Sequence, residues 1–156
     1  SEESMDKLMP LIVYTDESLH CGEGKVRCGK KEALEKYPGR YCSEYMFSSG
    51  LSYRFLQIGV GRMWIRYKSC NDWRSNSGDV TIDFLGFEDP GYHPRIRQPL
   101  WAIDFVPYGD KLYAVDYNIA PGLSGTGVEH ELTPKNVYTL ITTAMDYFLE
   151  EEYEDQ

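Results

Sequence analysis

Residues 101–122 constrain the fold of this chain more than any other stretch, because two strand-like runs there flank a turn. Both runs are rich in apolar, β-branched and aromatic residues, which favour strands. Between them, residues 107–110 combine proline, glycine and aspartate, which is typical of a turn. The stretch therefore predicts a β-hairpin.

Three side chains with oxygen donors lie in this hairpin: Asp104 on the first strand, and Asp116 and Asn118 on the second. Side chains alternate along a strand, so Asp116 and Asn118 share a face, and a turn of three or five residues would place Asp104 there too. Such a cluster has little structural purpose, since uncompensated buried carboxylates are costly. It suits Mg²⁺, which takes one or two carboxylates plus substrate phosphates. The alternative is an acidic surface hairpin in a chain that is acidic anyway.

The order of these three residues, followed by Pro121 and Gly122, resembles the metal-binding end of the ATP-grasp ligases. The resemblance implies ATP and Mg²⁺ as cofactors and Asp104, Asp116 and Asn118 as the metal ligands. The family more often has glutamate at the position of Asp116, which implies a slightly different metal geometry here.

Residues 11–46 resemble the central subdomain of the same family, in which a glycine-rich loop covers the ATP phosphates. Gly22, Gly24 and Lys25 match that loop, where glycine lets backbone N–H groups approach phosphate and lysine adds a point charge. Without the resemblance, Gly-x-Gly-Lys is a common turn.

The hinge strand that follows in the family matches residues 41–46, where Glu44 is the candidate contact to ribose. One position departs from the family pattern. The first strand of the family commonly ends in a lysine that meets the phosphates, whereas this chain has Tyr14. Either Lys25 replaces that lysine or nucleotide binding is weakened.

Two arginines and an asparagine match the next segment of the family. Arg66 matches the position that usually meets the transferred phosphate, and its planar fork can hold two oxygens at once. By the same resemblance, Arg54 would orient the substrate and Asn76 would assist the nucleotide or the metal. Without the resemblance, both arginines are ordinary solvent-facing strand residues.

The resemblance implies an ATP-grasp-like α+β fold with antiparallel or mixed sheets and packed helices. Thr133 and Pro134 begin an amphipathic helix that runs to about residue 150. The other predicted elements are strands over 9–15, 41–46, 52–58, 63–68 and 80–85, and helices over 30–37 and 95–100. The predicted organisation is a partial phosphate-loop subdomain with its hinge strand over 1–46, a metal- and nucleotide-binding subdomain over 47–150, and an acidic tail over 151–156.

Composition and charge exclude several classes of protein. The chain is 42% hydrophobic and 14% aromatic, which argues against disorder. A net charge of −9 counts against general nucleic-acid binding and against adhesion to anionic membranes. The sequence has no apolar run of membrane-spanning length and no signal-peptide pattern at its start, so a cytoplasmic protein is the expectation.

Other candidate sites are weaker. The four cysteines form no Cys-x-x-Cys pair, so free thiols are expected, and a zinc site at His20, Cys21 and Cys28 lacks a second close pair. The serines near glycine lack the partners of a hydrolase triad. Residues 124–127 would either bind a substrate carboxylate through backbone amides or form an ordinary flexible loop.

Two hypotheses about function stand. The resemblance implies a carboxylate–amine or carboxylate–thiol ligase that binds ATP and an unknown carboxylate substrate. A complete family member also has an N-terminal subdomain with no counterpart in this sequence. The resemblance therefore implies a natural minimal form, a fragment, or one half of a split enzyme in which a partner chain or a second copy supplies that subdomain. The alternative is a catalytically inactive module that keeps the fold for binding or interaction.

Overall fold

The computed structural model describes residues 10–16, 23–87 and 98–154, which divide into two compact units, Ser1–Phe47 and Ser48–Gln156. Each unit combines β-strands with helices, and every strand pairing among the described residues is antiparallel. The chain therefore has the predicted α+β class with antiparallel sheets.

The first unit packs one short helix beside a small sheet. Its elements are β1 (Leu11–Tyr14), β2 (Lys25–Cys28), α1 (Lys30–Lys36) and β3 (Cys42–Glu44). The strand order is β2–β1–β3. Val13, Cys28 and Ala33, one each from β1, β2 and α1, form the buried core of this unit.

The second unit is built on a sheet of five strands. These are β4 (Leu51–Ile58), β5 (Gly61–Ser69), β6 (Val80–Gly86), β7 (Leu100–Tyr108) and β8 (Lys111–Asn118). Their order is β6–β5–β4–β7–β8, so β4 and β7 lie inside the sheet and β8 forms one edge. The hairpin predicted from residues 101–122 is therefore β7–β8. Of the helix predicted over 95–100, residues 95–97 lie outside the described residues, and Leu100 begins β7 instead.

The two faces of this sheet differ in composition. The helix face packs against two helices, α2 (Val128–Glu131) and α3 (Pro134–Glu154). The opposite side, the aromatic face, carries a separate buried cluster. The helix face consists of Leu56, Ile58, Met63, Ile65 and Ala102, and the aromatic face of Phe55, Trp64, Trp101, Ile103 and Phe105.

Helix α3 begins where the sequence predicts. The Thr133 hydroxyl accepts a hydrogen bond from the backbone N–H of Asn136 at 3.2 Å, and Pro134 is the first helical residue. Apolar residues spaced three and four apart, among them Val137, Leu140 and Ile141, pack onto the helix face. No helix within the described part of the chain is long and apolar enough to span a membrane.

Candidate functional site

The β7–β8 hairpin brings the predicted metal ligands onto one face. Its turn has two residues, because Tyr108 pairs with Lys111, so the condition of a three- or five-residue turn is not met. A register shift between Asp104 and Phe105 compensates for the shorter turn and pairs Asp104 with Asp116. Directly paired residues of antiparallel strands point to the same side of the sheet, so both carboxylates share a face.

This register shift is a β-bulge in β8, where one extra residue, Val115, lies between the pairs Phe105–Ala114 and Asp104–Asp116. Without the bulge, a two-residue turn would pair Asp104 with Val115 and turn Asp116 to the aromatic face, since a slip of one residue reverses side-chain direction. Bulges commonly re-aim side chains in this way beside functional sites. The bulge is therefore the reason that Asp104 and Asp116 are directly paired and lie on the same face.

Asp104 forms an ion pair with Arg54 on the neighbouring strand β4. The guanidinium donates from Nε to Oδ1 at 2.6 Å and from NH2 to Oδ2 at 2.7 Å, so both carboxylate oxygens are engaged. The pair is largely buried, with 19% of the Arg54 and 25% of the Asp104 side chain exposed. Hydrogen bonding to Asp104 is the main reason that the pKa of Arg54 is raised further above its ordinary value.

Asp116 and Asn118 are held more loosely than Asp104. Within the described residues, the Asp116 side chain has no hydrogen bond or ion pair, although its charge acts on Arg54. The Asn118 Oδ1 accepts a hydrogen bond from the backbone N–H of Ala120 at 2.9 Å, which fixes the turn after β8. Asp116 is exposed and lies opposite a second acid, so its carboxylate is accessible to a cation.

These three side chains fit a magnesium ion in their chemistry. Two carboxylates and one amide offer the hard oxygen donors that Mg²⁺ prefers, and the ion keeps several waters or phosphate oxygens besides. The described part of the chain holds no cluster of three or more His, Cys, Asp or Glu side chains that could hold a metal. A site at Asp104, Asp116 and Asn118 would have only two such residues and would depend on nucleotide phosphates for the rest.

Arg66 lies on the other side of the sheet from these acids. Ile65, the residue before it in β5, pairs with Arg54, so alternation turns Arg66 away from Arg54. Its Nε and NH2 both donate to one Asp83 oxygen, at 3.0 and 2.9 Å. The structure therefore brings Arg54, but not Arg66, onto the face of Asp104.

Asn76 lies exposed in the loop between β5 and β6, a loop that hydrogen bonds hold in shape. The Ser69 hydroxyl donates to the carbonyl of Ser77 at 2.6 Å, and the side chain of Asn71 donates to Asp79 at 2.9 Å. Arg74 donates to Asp72 from Nε at 3.1 Å and from NH2 at 2.7 Å. These hydrogen bonds lie on both sides of Asn76 in the sequence, so they fix the backbone conformation of the loop that carries it.

The Asp72–Arg74 pair should make part of the stability depend on acid pH. Hydrogen bonds from the Arg74 side chain are the main reason that the pKa of Asp72 lies well below its usual value. Because the folded pKa is lower than the unfolded value of about 3.9, this stabilisation is present above that value and is lost as pH falls toward the folded pKa. Between about pH 5 and pH 2, the parent should lose more stability than Arg74→Gln. Urea denaturation at several pH values tests this, and equal losses in both proteins would contradict it.

The predicted phosphate loop is a tight turn in the part that the structure describes. Gly22 lies outside the described residues. Gly24 has φ +70°, and a Cβ there would collide with the backbone oxygen of Asp16, so the chain itself fills that space. Lys25 begins β2, and its Nζ lies 4.9 Å from the centre of the Tyr14 ring. Glu44 ends β3 and is exposed. The family pattern has a lysine at the position of Tyr14. The ammonium group of Lys25 lies next to that position.

Two weaker candidates lose support. His20 and Cys21 of the possible zinc site lie outside the described residues, and Cys28 is buried in the core of the first unit. The amides that residues 124–127 would offer to a substrate are already in use. The backbone N–H groups of Gly125 and Thr126 donate to the Glu129 carboxylate at 2.5 and 3.3 Å. A substrate carboxylate would have to displace Glu129.

Comparison with known proteins adds no family to these observations. No protein-family model matches the chain, and no curated protein is significantly similar to it.

Proposed function

We propose that the chain binds ATP with Mg²⁺ and belongs to an ATP-grasp-type carboxylate–amine or carboxylate–thiol ligase. The observation that carries this proposal is the face shared by Asp104, Asp116 and Asn118, which a bulge in an edge strand aligns. The ATP-grasp family pattern has this set of residues in this order.

Each residue has a distinct part in this proposal. Asp104, Asp116 and Asn118 would hold Mg²⁺, which supplies charge neutralisation at the ATP phosphates when bound. Arg54 provides a permanent positive charge on the same face, whereas Arg66, predicted as a phosphate contact, lies on the opposite face and pairs with Asp83. Lys25 stays a predicted phosphate contact within the first unit. Phosphoryl transfer depends mainly on positioning and charge, so these groups suffice without a strong side-chain base. A substrate carboxylate oxygen would attack the γ-phosphorus of ATP, which would release ADP and form an acyl phosphate. An amine or thiol would then attack the acyl carbon and release inorganic phosphate.

A non-catalytic binding module is the second candidate, and two observations favour it. Both oxygens of Asp104 are satisfied by Arg54 without any metal, and Tyr14 stands where the family pattern has a lysine. Against it stands Asp116, since opposed carboxylates repel each other and have no evident use in a module that binds no cation.

Calorimetric titration of ATP, with and without Mg²⁺, tests the proposal. We expect binding by the parent that depends on Mg²⁺, and at least about a tenfold loss of affinity in Asp116→Asn, which removes a metal-ligand charge. Asp110→Asn is the matched control, because it removes an exposed acid from the turn of the same hairpin. Binding by Asp116→Asn as tight as that of the parent would refute the metal assignment.

A further inference from the structure

The ion pair between Arg54 and Asp104 has a consequence for any cation that approaches this face. Two forked hydrogen bonds of 2.6 and 2.7 Å use both oxygens of Asp104, and charge-assisted bonds of this geometry are among the strongest in proteins. A divalent ion cannot take a carboxylate oxygen in this state without weakening at least one of the two bonds. Arg54 and a metal ion therefore compete for the same ligand.

We infer that Arg54 is a built-in counter-cation of Asp104, which a divalent metal must displace before Asp104 can bind it. The inference rests on the metal site of the proposed function and assigns Arg54 a role there that the family pattern does not imply. In this arrangement, Arg54 balances the acids when no metal is present, and the entering ion exchanges with it.

Three features of the site support exchange. A quarter of the Asp104 side chain is exposed, so a hydrated ion can approach the pair. Asp116, directly opposite, has no hydrogen bond or ion pair within the described residues and offers the ion its first ligand. The Arg54 guanidinium also lies 5.6 Å from the centre of the Tyr67 ring, a cation–π contact that does not depend on Asp104. Arg54 can therefore leave the carboxylate while keeping a favourable contact.

The consequence is that metal affinity in the absence of nucleotide is lower than the acids alone would give. A positive charge a few ångströms from the metal repels it, and its removal also frees Asp104. Arg54→Gln should therefore bind a divalent cation at least about tenfold more tightly than the parent. Arg54→Lys should fall between the two, because lysine keeps the charge but lacks the fork.

The test is a titration with Mn²⁺ alone, followed by loss of the electron paramagnetic resonance signal of the free ion. Mn²⁺ accepts the same carboxylate, carbonyl and water ligands as Mg²⁺. Arg74→Gln is the matched control, since Arg74 forms a similar fork with Asp72 in a loop outside the predicted metal-ligand set. We expect this control to bind Mn²⁺ as the parent does. Should Arg54→Gln fail to fold, Arg54→Lys, with its intermediate affinity, decides the question.

Several results would overturn the inference. Mn²⁺ affinity in Arg54→Gln that equals or falls below that of the parent would show that Arg54 does not compete with the ion. An equal gain in Mn²⁺ affinity in Arg74→Gln would show that the effect comes from the net charge of the protein and not from the position of Arg54. If either result accompanies Mg²⁺-dependent ATP binding by the parent, the proposed function stands and only the exchange fails. If no variant binds Mn²⁺ and the parent shows no Mg²⁺-dependent ATP binding, both fail together.

Discussion

Gly59→Ala should lower the free energy of unfolding by about 3 kcal/mol, because its Cβ would enter the backbone of helix α3. Gly59 follows β4 with φ +57°, a conformation that costs an L-residue about 1 kcal/mol on its own. The added Cβ would collide with the carbonyl oxygen of Leu140, 2.8 Å from its carbonyl carbon and 3.3 Å from the Ala144 side chain. Neither backbone atom can rotate away, so α3 would have to move from the sheet.

Gly109→Ala is the matched control for this effect. Gly109 has a similar φ of +63° in the β7–β8 turn, but an added Cβ would meet no atom within 4 Å. It should therefore cost only the conformational term, about 1 kcal/mol. Equilibrium denaturation in urea measures both variants. Equal losses in the two would mean that α3 does not approach the sheet closely at Gly59.

The sequence predicts elements with strong local signals and misses those that depend on pairing partners. Helix α3 has a cap, a proline at its start and a regular apolar spacing, and the structure confirms its beginning at Pro134. Strand β2, by contrast, is only four residues long and follows directly on Gly24. The sequence analysis predicts no strand there, because nothing in four residues reveals that β1 pairs with them.

Prediction of the candidate site from the sequence is also limited by its dependence on strand pairing. The alternation in β8 is enough to place Asp116 and Asn118 on one face, but the pairing of Asp104 depends on the turn length and on the bulge at Val115. A bulge leaves no local signal in a run such as residues 111–118, since each of its residues is compatible with a regular strand. Asp104 thus reaches the face of Asp116 through a two-residue turn and a bulge, rather than through a turn of three or five residues.

Cross-strand partners explain why Arg54 and Arg66 differ. Both match the family pattern, yet register pairs Arg54 with Asp104 and Arg66 with Asp83 on opposite sides of the sheet. Residues 54 and 66 belong to different strands, so their relative direction depends on the β4–β5 register rather than on their spacing in the chain. The sequence identifies both arginines as candidates, but only the strand pairing shows that they lie on opposite faces of the sheet.

Asp104→Ala should lower the free energy of unfolding by about 2 kcal/mol, because it leaves the mostly buried Arg54 guanidinium without its carboxylate. The charge of Arg54 cannot be removed by deprotonation, since an arginine keeps its proton in proteins. Urea denaturation near neutral pH measures the loss. A double-mutant cycle with Arg54→Gln then isolates the interaction free energy between Arg54 and Asp104. This free energy should account for most of the stability lost in Asp104→Ala. A coupling near zero would mean that the pair contributes nothing beyond its two separate side chains.

Asp116→Asn should act in the opposite direction, although Asp116 is the direct partner of Asp104 across the strands. It removes one of two opposed like charges and breaks no hydrogen bond or ion pair among the described residues, so stability should rise by up to about 0.5 kcal/mol. The two substitutions therefore distinguish a role in stability from a role in cation binding. Asp104 stabilises the fold through its ion pair with Arg54, whereas Asp116 attracts Arg54 more weakly and opposes the charge of Asp104. A loss of stability in Asp116→Asn similar to that in Asp104→Ala would assign both acids to the fold and remove the main physical argument for a metal.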